Sequence, residues 1–172
     1  MSFTQLFKNK KLFFLGVAID LLVAFFDLLS KRLTFAMLEN SHSAAFGTNH
    51  SLEVTSFFNL VTVWNHGVSF GMFNHLEYAQ IIFSVIVAAV MLVMLIWLYR
   101  NDKIYLTWAL GFIIGGALGN LTDRIHKGAV ADFLDFHIAS YHWPAFNLAD
   151  SFVLIGVVML LMEDLILKKS AK

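Results

Sequence analysis

The chain has 172 residues, 59% of them apolar and only 14% charged, with zero formal net charge and a mean hydropathy of +0.72. Ordinary soluble domains are about 45–50% apolar, so this balance describes one membrane domain over residues 1–172. Neutrality gives no bulk attraction for nucleic acid. The lack of cysteine excludes disulfides, thiolate catalysis, Cys-ligated zinc and lipid attachment to the chain's own thiols.

A membrane-crossing helix needs about 20 mostly apolar residues. The first predicted span covers about 12–29 and is interrupted by Asp20 and Asp27. It is long for the apolar part of a signal peptide, carries two acids and is followed by no convincing A-x-A site, so it reads as retained. Asp27 and Lys31 in "DLLSK" lie four residues apart on one helical face. That spacing fits a plain ion pair at a helix end as well as a functional pair. Asp20, one heptad earlier, has no local partner and is expected to be protonated or hydrogen-bonded inside the bundle.

A β-rich loop is predicted over about 52–74. Within it, "SFFNLVTVWNHGVSFGMF" (Ser56–Phe73) is dense in β-branched and aromatic residues and is broken by the turn signal Asn65-His66-Gly67. The pattern predicts a short hairpin or small sheet, and it is also compatible with an aromatic belt at the headgroups. The second span covers about 78–99. The third covers about 104–121 and carries Gly111, Gly115 and Gly119 at four-residue spacing, with Gly116 beside them. This is a small-xxx-small ridge for close helix approach. The ridge runs into "GNLTDR", where Asn120, Asp123 and Arg124 continue one face and predict a polar network at the helix end.

Thr122–Ala145 is predicted as a loop joining two helix ends, with Asp135 facing solvent. The fourth span covers about 146–167, with Pro144 just ahead of it and Asp150 one turn beyond Asn147. Eight of the twelve Lys and Arg residues lie in the N-terminal segment, the second-to-third turn and the C-terminal tail. The positive-inside rule therefore predicts cytoplasmic termini, with the loop at 32–77 and Thr122–Ala145 outside.

Ionisable groups at a membrane boundary are functional candidates. Asp132, among Val130, Ala131 and Phe133, and Asp150, near the fourth helix start, can face each other once the intervening loop folds back. Two adjacent carboxyls cannot both ionise easily, so the pair holds one proton. One member can then take a proton from water while the other hydrogen-bonds a scissile carbonyl. The chain has no HExxH, P-loop or dinucleotide fingerprint, Ser151 lacks elbow glycines, and His137 and His142 alone make a weak case for a metal. An alternative class is a small proton- or ion-coupled transporter using Asp20, Asp27 and Asp150 as a relay. Another is a non-catalytic assembly factor packed through the glycine ridge.

Five motifs occur in order: "DLLSK" (Asp27–Lys31), "NHGVSFG" (Asn65–Gly71), "GNLTDR" (Gly119–Arg124), "VADF" (Val130–Phe133) and "FNLAD" (Phe146–Asp150). Together they make the chain resemble the lipoprotein signal peptidase family, the bacterial signal peptidase II membrane aspartic proteases. The resemblance implies an all-α membrane protein of four transmembrane helices, with both termini cytoplasmic and a small extracytoplasmic β element between helices 1 and 2. It implies Asp132 and Asp150 as the catalytic dyad. It also implies that Asn65, Gly67, Asn120, Asp123, Arg124 and Asn147 bind substrate or shape the site, with Asp27 and Lys31 as a sensitive structural pair. The implied substrate is a diacylglyceryl-modified prolipoprotein cut just before its lipidated cysteine, at the outer face of the bacterial cytoplasmic (inner) membrane. Membrane lipids are implied partners, and globomycin-like cyclic peptides implied inhibitors. The resemblance implies no metal, no cofactor and no nucleic acid. A clamp on the peptide by the outer hairpin, through Trp64 and Phe70, fits the same picture. Asp20 stands outside the family pattern.

Overall fold

The computed structural model describes residues 3–40, 51–66 and 79–170. Among the described residues, four helices and four strands follow in the order α1 (Phe3–Asn40), β1 (Ser51–Thr55), β2 (Phe58–Asn65), α2 (Ala79–Arg100), α3 (Ile104–Lys127), β3 (Val130–Ile138), β4 (Tyr141–His142) and α4 (Leu148–Ser170). The protein is thus mostly helical, with one small antiparallel sheet in the order β1-β2-β3-β4. Among the described residues, three helical segments are long and apolar enough to cross a membrane: Lys10–Glu39, Gln80–Arg100 and Ile104–Lys127.

The only proline in the chain lies outside every helix, so nothing in the sequence breaks the backbone ladder within them. This is why α1 runs for 38 residues, well beyond the apolar window predicted at 12–29. Its polar ends carry on the helix that its apolar middle begins. Asn101 turns the chain between α2 and α3. Its amide donates to the Lys103 carbonyl and to Thr107 Oγ1, both at 2.8 Å, and its Oδ1 accepts from the Lys103 N–H at 2.9 Å. α3 stops at Gly128, whose φ of 70° places its N–H on the Arg124 carbonyl at 3.1 Å. Glycine takes this left-handed cap without a Cβ penalty.

α3 is the centre of the bundle, packed by α1, α2 and α4, and is the most buried of the three membrane-length segments. The glycine ridge is what admits its neighbours. A Cβ at Gly111 would lie 2.7 Å from Ile19 Cγ2, and one at Gly115 would lie 2.6 Å from the Asp20 carbonyl oxygen. A Cβ at Gly119 would strike the Asp27 carboxylate. Gly116 faces the other way, onto Ala149 and Val153 of α4. The ridge therefore serves two partners, with three glycines on α1 and one on α4. An apolar cluster of Leu98, Leu110 and Ile114 joins α2 to α3, with Phe13 of α1 against it.

The predicted small sheet forms, with the β1–β2 turn at Ser56-Phe57. Asn65, the first residue of the predicted turn signal, ends β2 opposite Val130, and Gly67 and Phe70 lie outside the described residues. Thr122–Ala145 is not only loop, because it contains the nine-residue strand β3. β3 pairs with β2 along one edge and passes against the helix ends, so both its faces are covered over its first half. A strand buried on both faces shows no apolar–polar alternation, and the sequence offered no period to find.

Replacing Gly115 by leucine must part α1 from α3, because the side chain meets backbone at Asp20. Overpacking of this kind costs about 1–3 kcal/mol or more. Thermal unfolding in detergent should show Gly115→Leu well below wild type, while Gly128→Ala, whose Cβ meets nothing within 4 Å, should lose only the roughly 1–2 kcal/mol of its left-handed cap.

Candidate active site

The site lies where the C-terminal parts of α1 and α3, the start of α4 and strand β3 converge. Its base is an ion cluster. Lys31 is 2% exposed, and its ammonium reaches Asp27 Oδ2 at 2.6 Å, Asp123 Oδ2 at 2.9 Å and Asn120 Oδ1 at 3.0 Å. Three donors thus meet three acceptors, drawn from α1 and α3. Asp123 is balanced a second time by Lys127 at 2.9 Å, and it also accepts the Ala131 N–H at 3.3 Å. Asp27 uses its other oxygen on α4, accepting the Ala149 N–H at 2.9 Å. That N–H is one of the orphan donors of a helix start, so the same carboxylate serves the cation and the helix.

Asn147 stands just before α4 and forms a reciprocal cap with Asp150. Asn147 Oδ1 accepts the Asp150 N–H at 2.9 Å, and Asp150 Oδ2 accepts the Asn147 N–H at 3.2 Å. This is a capping box with a shorter acid in its third helical position. The remaining oxygen of Asp150 accepts from the Asn120 amide at 2.8 Å.

Asp132 arrives from β3, and its carboxyl takes two amide donors: Asn147 Nδ2 at 2.7 Å on Oδ1 and Asn65 Nδ2 at 3.1 Å on Oδ2. Phe146 sets the approach. Its carbonyl accepts from the Phe133 and Leu134 N–H groups, and its own N–H returns to the Leu134 carbonyl at 3.1 Å. Those bonds lay the next residue, Asn147, beside Asp132. Asn147 therefore touches both carboxyls, Asp132 through its side chain and Asp150 through its backbone. Its amide also donates to Asn120 Oδ1 at 3.0 Å, linking it to the donor on Asp150.

Asp132 is 2% exposed. Burial, reinforced by the charge of Asp150, raises its pKa to about 7 against the opposing bonds from Asn65 and Asn147 and the charge of Lys31. The two predicted dyad residues thus act on each other electrostatically. Arg124 adds a positive charge felt by Asp150, Asp132 and Asp123, and its buried Nε has no hydrogen-bond partner among the described residues.

The structure brings together Asp27, Lys31, Asn65, Asn120, Asp123, Asp132, Asn147 and Asp150 in one bonded network. Gly67 lies outside the described residues. Trp64 packs edge-on against Phe35 of α1, with Lys127 Nζ 5.4 Å from its ring centre. Asp20 is buried, and its Oδ1 has no hydrogen-bond partner.

Asp135 corrects its prediction. It is buried rather than solvent-facing, held by Asn59 Nδ2 at 2.9 Å and by His142 Nδ1 at 2.9 Å. Register explains this, since Asn59 pairs directly with Asp135 across the sheet. Asn59 was absent from the sequence reading and His142 entered it only as a weak metal candidate, because their partner is fixed only by strand pairing. Among the described residues, no group of three or more His, Asp or Glu is placed to hold a metal.

A membrane-length helical bundle whose end carries two mutually acting carboxyls defines a membrane-integral protein with a paired-acid site. The sequence model of the signal peptidase (SPase) II family matches residues 19–166. A lipoprotein signal peptidase of Francisella tularensis subsp. mediasiatica is 43% identical over 150 residues, covering 84% of this chain and 88% of that one. The lipoprotein signal peptidase of Anaplasma phagocytophilum is 39% identical over 123 residues, covering 72% and 79%. A solved bacterial membrane enzyme superposes with a TM-score of 0.74 at 27% identity, covering 91% of each chain. The chain belongs to the signal peptidase II family.

Lys31 is the cation on which two buried acids rely. Removing one partner of a buried ion pair costs about 3–5 kcal/mol. Lys31→Met should lower the unfolding temperature in detergent far more than Lys103→Met, whose partner Glu163 is met on a half-exposed side chain. Equal effects would contradict the cluster's structural weight.

Proposed function

We propose that this peptidase removes the signal peptide from diacylglyceryl-modified prolipoproteins, cleaving just before the lipidated cysteine, with Asp132 and Asp150 as an aspartic dyad. The observation that carries the reading is Asn147, which holds one carboxyl by its side chain and the other by its backbone. Family membership supports a peptidase and gives no support to a coupled transporter.

The chemistry follows from the two environments. Asp132, buried in the sheet, is the member that carries the shared proton. Asp150 sits in the first turn of α4, where the helix dipole and the Asn147 N–H favour negative charge. Asp150 takes a proton from water as the water oxygen attacks the scissile carbonyl. Asp132 donates a hydrogen bond to the carbonyl oxygen as it gains charge. Collapse of the tetrahedral species breaks the C–N bond, and the proton held by Asp150 passes to the leaving amine. Arg124 steadies the net negative charge of the site, and Asn65 and Asn120 hold the carboxyls in place. Asp27 and Lys31 hold α1 and α4 around them.

The reading includes four membrane spans, with α4 as the fourth and both termini in the cytoplasm. The positive-inside distribution supports this. The site then opens at the outer face of the cytoplasmic membrane, where water and a lipid-anchored cysteine meet. By the same reading, cyclic peptides of the globomycin type compete for the site, and no metal or cofactor is used.

Purified protein mixed with a diacylglyceryl-modified prolipoprotein should release the signal peptide. Asp132→Asn and Asp150→Asn should each lower turnover by at least about a hundredfold while still folding and inserting. Normal cleavage by either variant would remove the dyad, and proton movement in liposomes without cleavage would favour the transporter.

The pH profile has a defined sign. A carboxyl raised to about 7 keeps its proton below that pH and loses it above. Turnover should therefore fall as pH rises through about 7. A rate that climbs steadily from pH 6 to pH 9 would contradict the assigned acid.

A further inference from the structure

A groove of about 410 Å³ runs between α2 and α3, and the dyad chemistry uses none of its α2 residues. Its walls include Gln80, Ser84, Val85 and Ala88 of α2, with Leu121 and Arg124 of α3. Two buried polar atoms with no hydrogen-bond partner among the described residues belong to these walls, Gln80 Oε1 and Arg124 Nε. Buried polar groups without partners are uncommon and call for an explanation. Both sit at one end of the groove, since Gln80 begins α2 and Arg124 closes α3. From Gln80 to Ala88 the walls turn apolar over about 12 Å of helix rise.

We infer that this groove seats the lipid of the substrate, with the glyceryl ester at Gln80 and Arg124 and one acyl chain along Val85 and Ala88. The inference rests on the lipoprotein signal peptidase reading above. Polarity matches the ligand end for end. An ester carbonyl accepts from Arg124 Nε, and the Gln80 amide, turned about its last bond, offers an NH₂ to the second ester. Ser84 adds a hydroxyl one turn below Gln80. The apolar stretch then takes hydrocarbon, and each buried methylene strengthens binding by about fourfold at most.

Location supports the same ligand. Arg124 lines the groove, and its charge also acts on Asp150 and Asp132. The lipid-bearing cysteine is adjacent to the bond that is cut, so the lipid site must border the dyad. α2 is the most exposed of the three membrane-length segments. A lipid anchored in the bilayer can therefore enter sideways without leaving its leaflet. Arg124 joins the two halves of the substrate, lipid on one side and peptide on the other.

A membrane phospholipid has the same glyceryl ester chemistry, so the test separates the two sources. Full-length protein is given synthetic lipobox peptides whose cysteine carries either two palmitoyl or two octanoyl chains. Wild type should favour palmitoyl in kcat/KM. Ala88→Phe and Val85→Phe, which close the deep half of the groove, should each lower the palmitoyl-to-octanoyl ratio by about tenfold, through KM. Loss of fold lowers both substrates alike, so a changed ratio reports the groove. Gln80→Leu should raise KM for both peptides. An unchanged ratio in whichever of the two phenylalanine variants folds would overturn the inference. So would a palmitoyl phospholipid that competes as well as the palmitoyl peptide, since the groove would then hold bulk lipid. If wild type cleaves neither peptide, the peptidase reading itself falls.

Discussion

One buried ammonium organises this protein. Lys31 sits in the first helix with almost no access to water and meets acceptors on two helices. An isolated charge there would be prohibitive, and two isolated carboxylates would be worse. Each makes the others tolerable. Asp27 then passes the effect on, because its second oxygen accepts an N–H at the start of α4. Asp123 does the same toward β3 through the Ala131 N–H. The cluster is therefore a junction, and the elements that carry Asp132 and Asp150 are each tied to it by a hydrogen bond.

Around that junction the backbones must come very close. The glycines of α3 make this feasible, and Gly119 does so at the ion cluster itself, where a methyl group would collide with Asp27. Packing and electrostatics are thus one constraint at this position. The small residue lets the helices approach, and the approach brings the charges within bonding distance. Neither arrangement is stable alone in an apolar setting.

Much of this was legible in the sequence. Four apolar windows, the glycine spacing and the run of polar residues after Gly119 each follow from local periodicity, and a helix conveys its faces directly. Asp132 and Asp150 could be paired by chemistry before any geometry was known. The sheet was harder to read. β3 is covered on both faces, so it lacks the alternation by which strands announce themselves, and its partner β2 lies some 70 residues away in sequence. The location of Asp135 depended on that pairing, since only the register sets Asn59 opposite it. The β1–β2 turn at Ser56-Phe57 carries no glycine, proline or asparagine to mark it, whereas Asn65, which opens a strong turn signal, ends β2.

The capping box at the start of α4 has a further consequence. Asp150 closes the first turn of a helix and also faces Asp132. Asn147 caps that helix and also holds Asp132. The acid pair therefore exists only once α4 has begun correctly and docked against the sheet. Before that, Asp132 is an ordinary solvated carboxyl with no neighbour to share a proton. On the dyad proposed above, the peptidase is thereby inert as a nascent chain, and its hydrolytic power appears together with its assembled form.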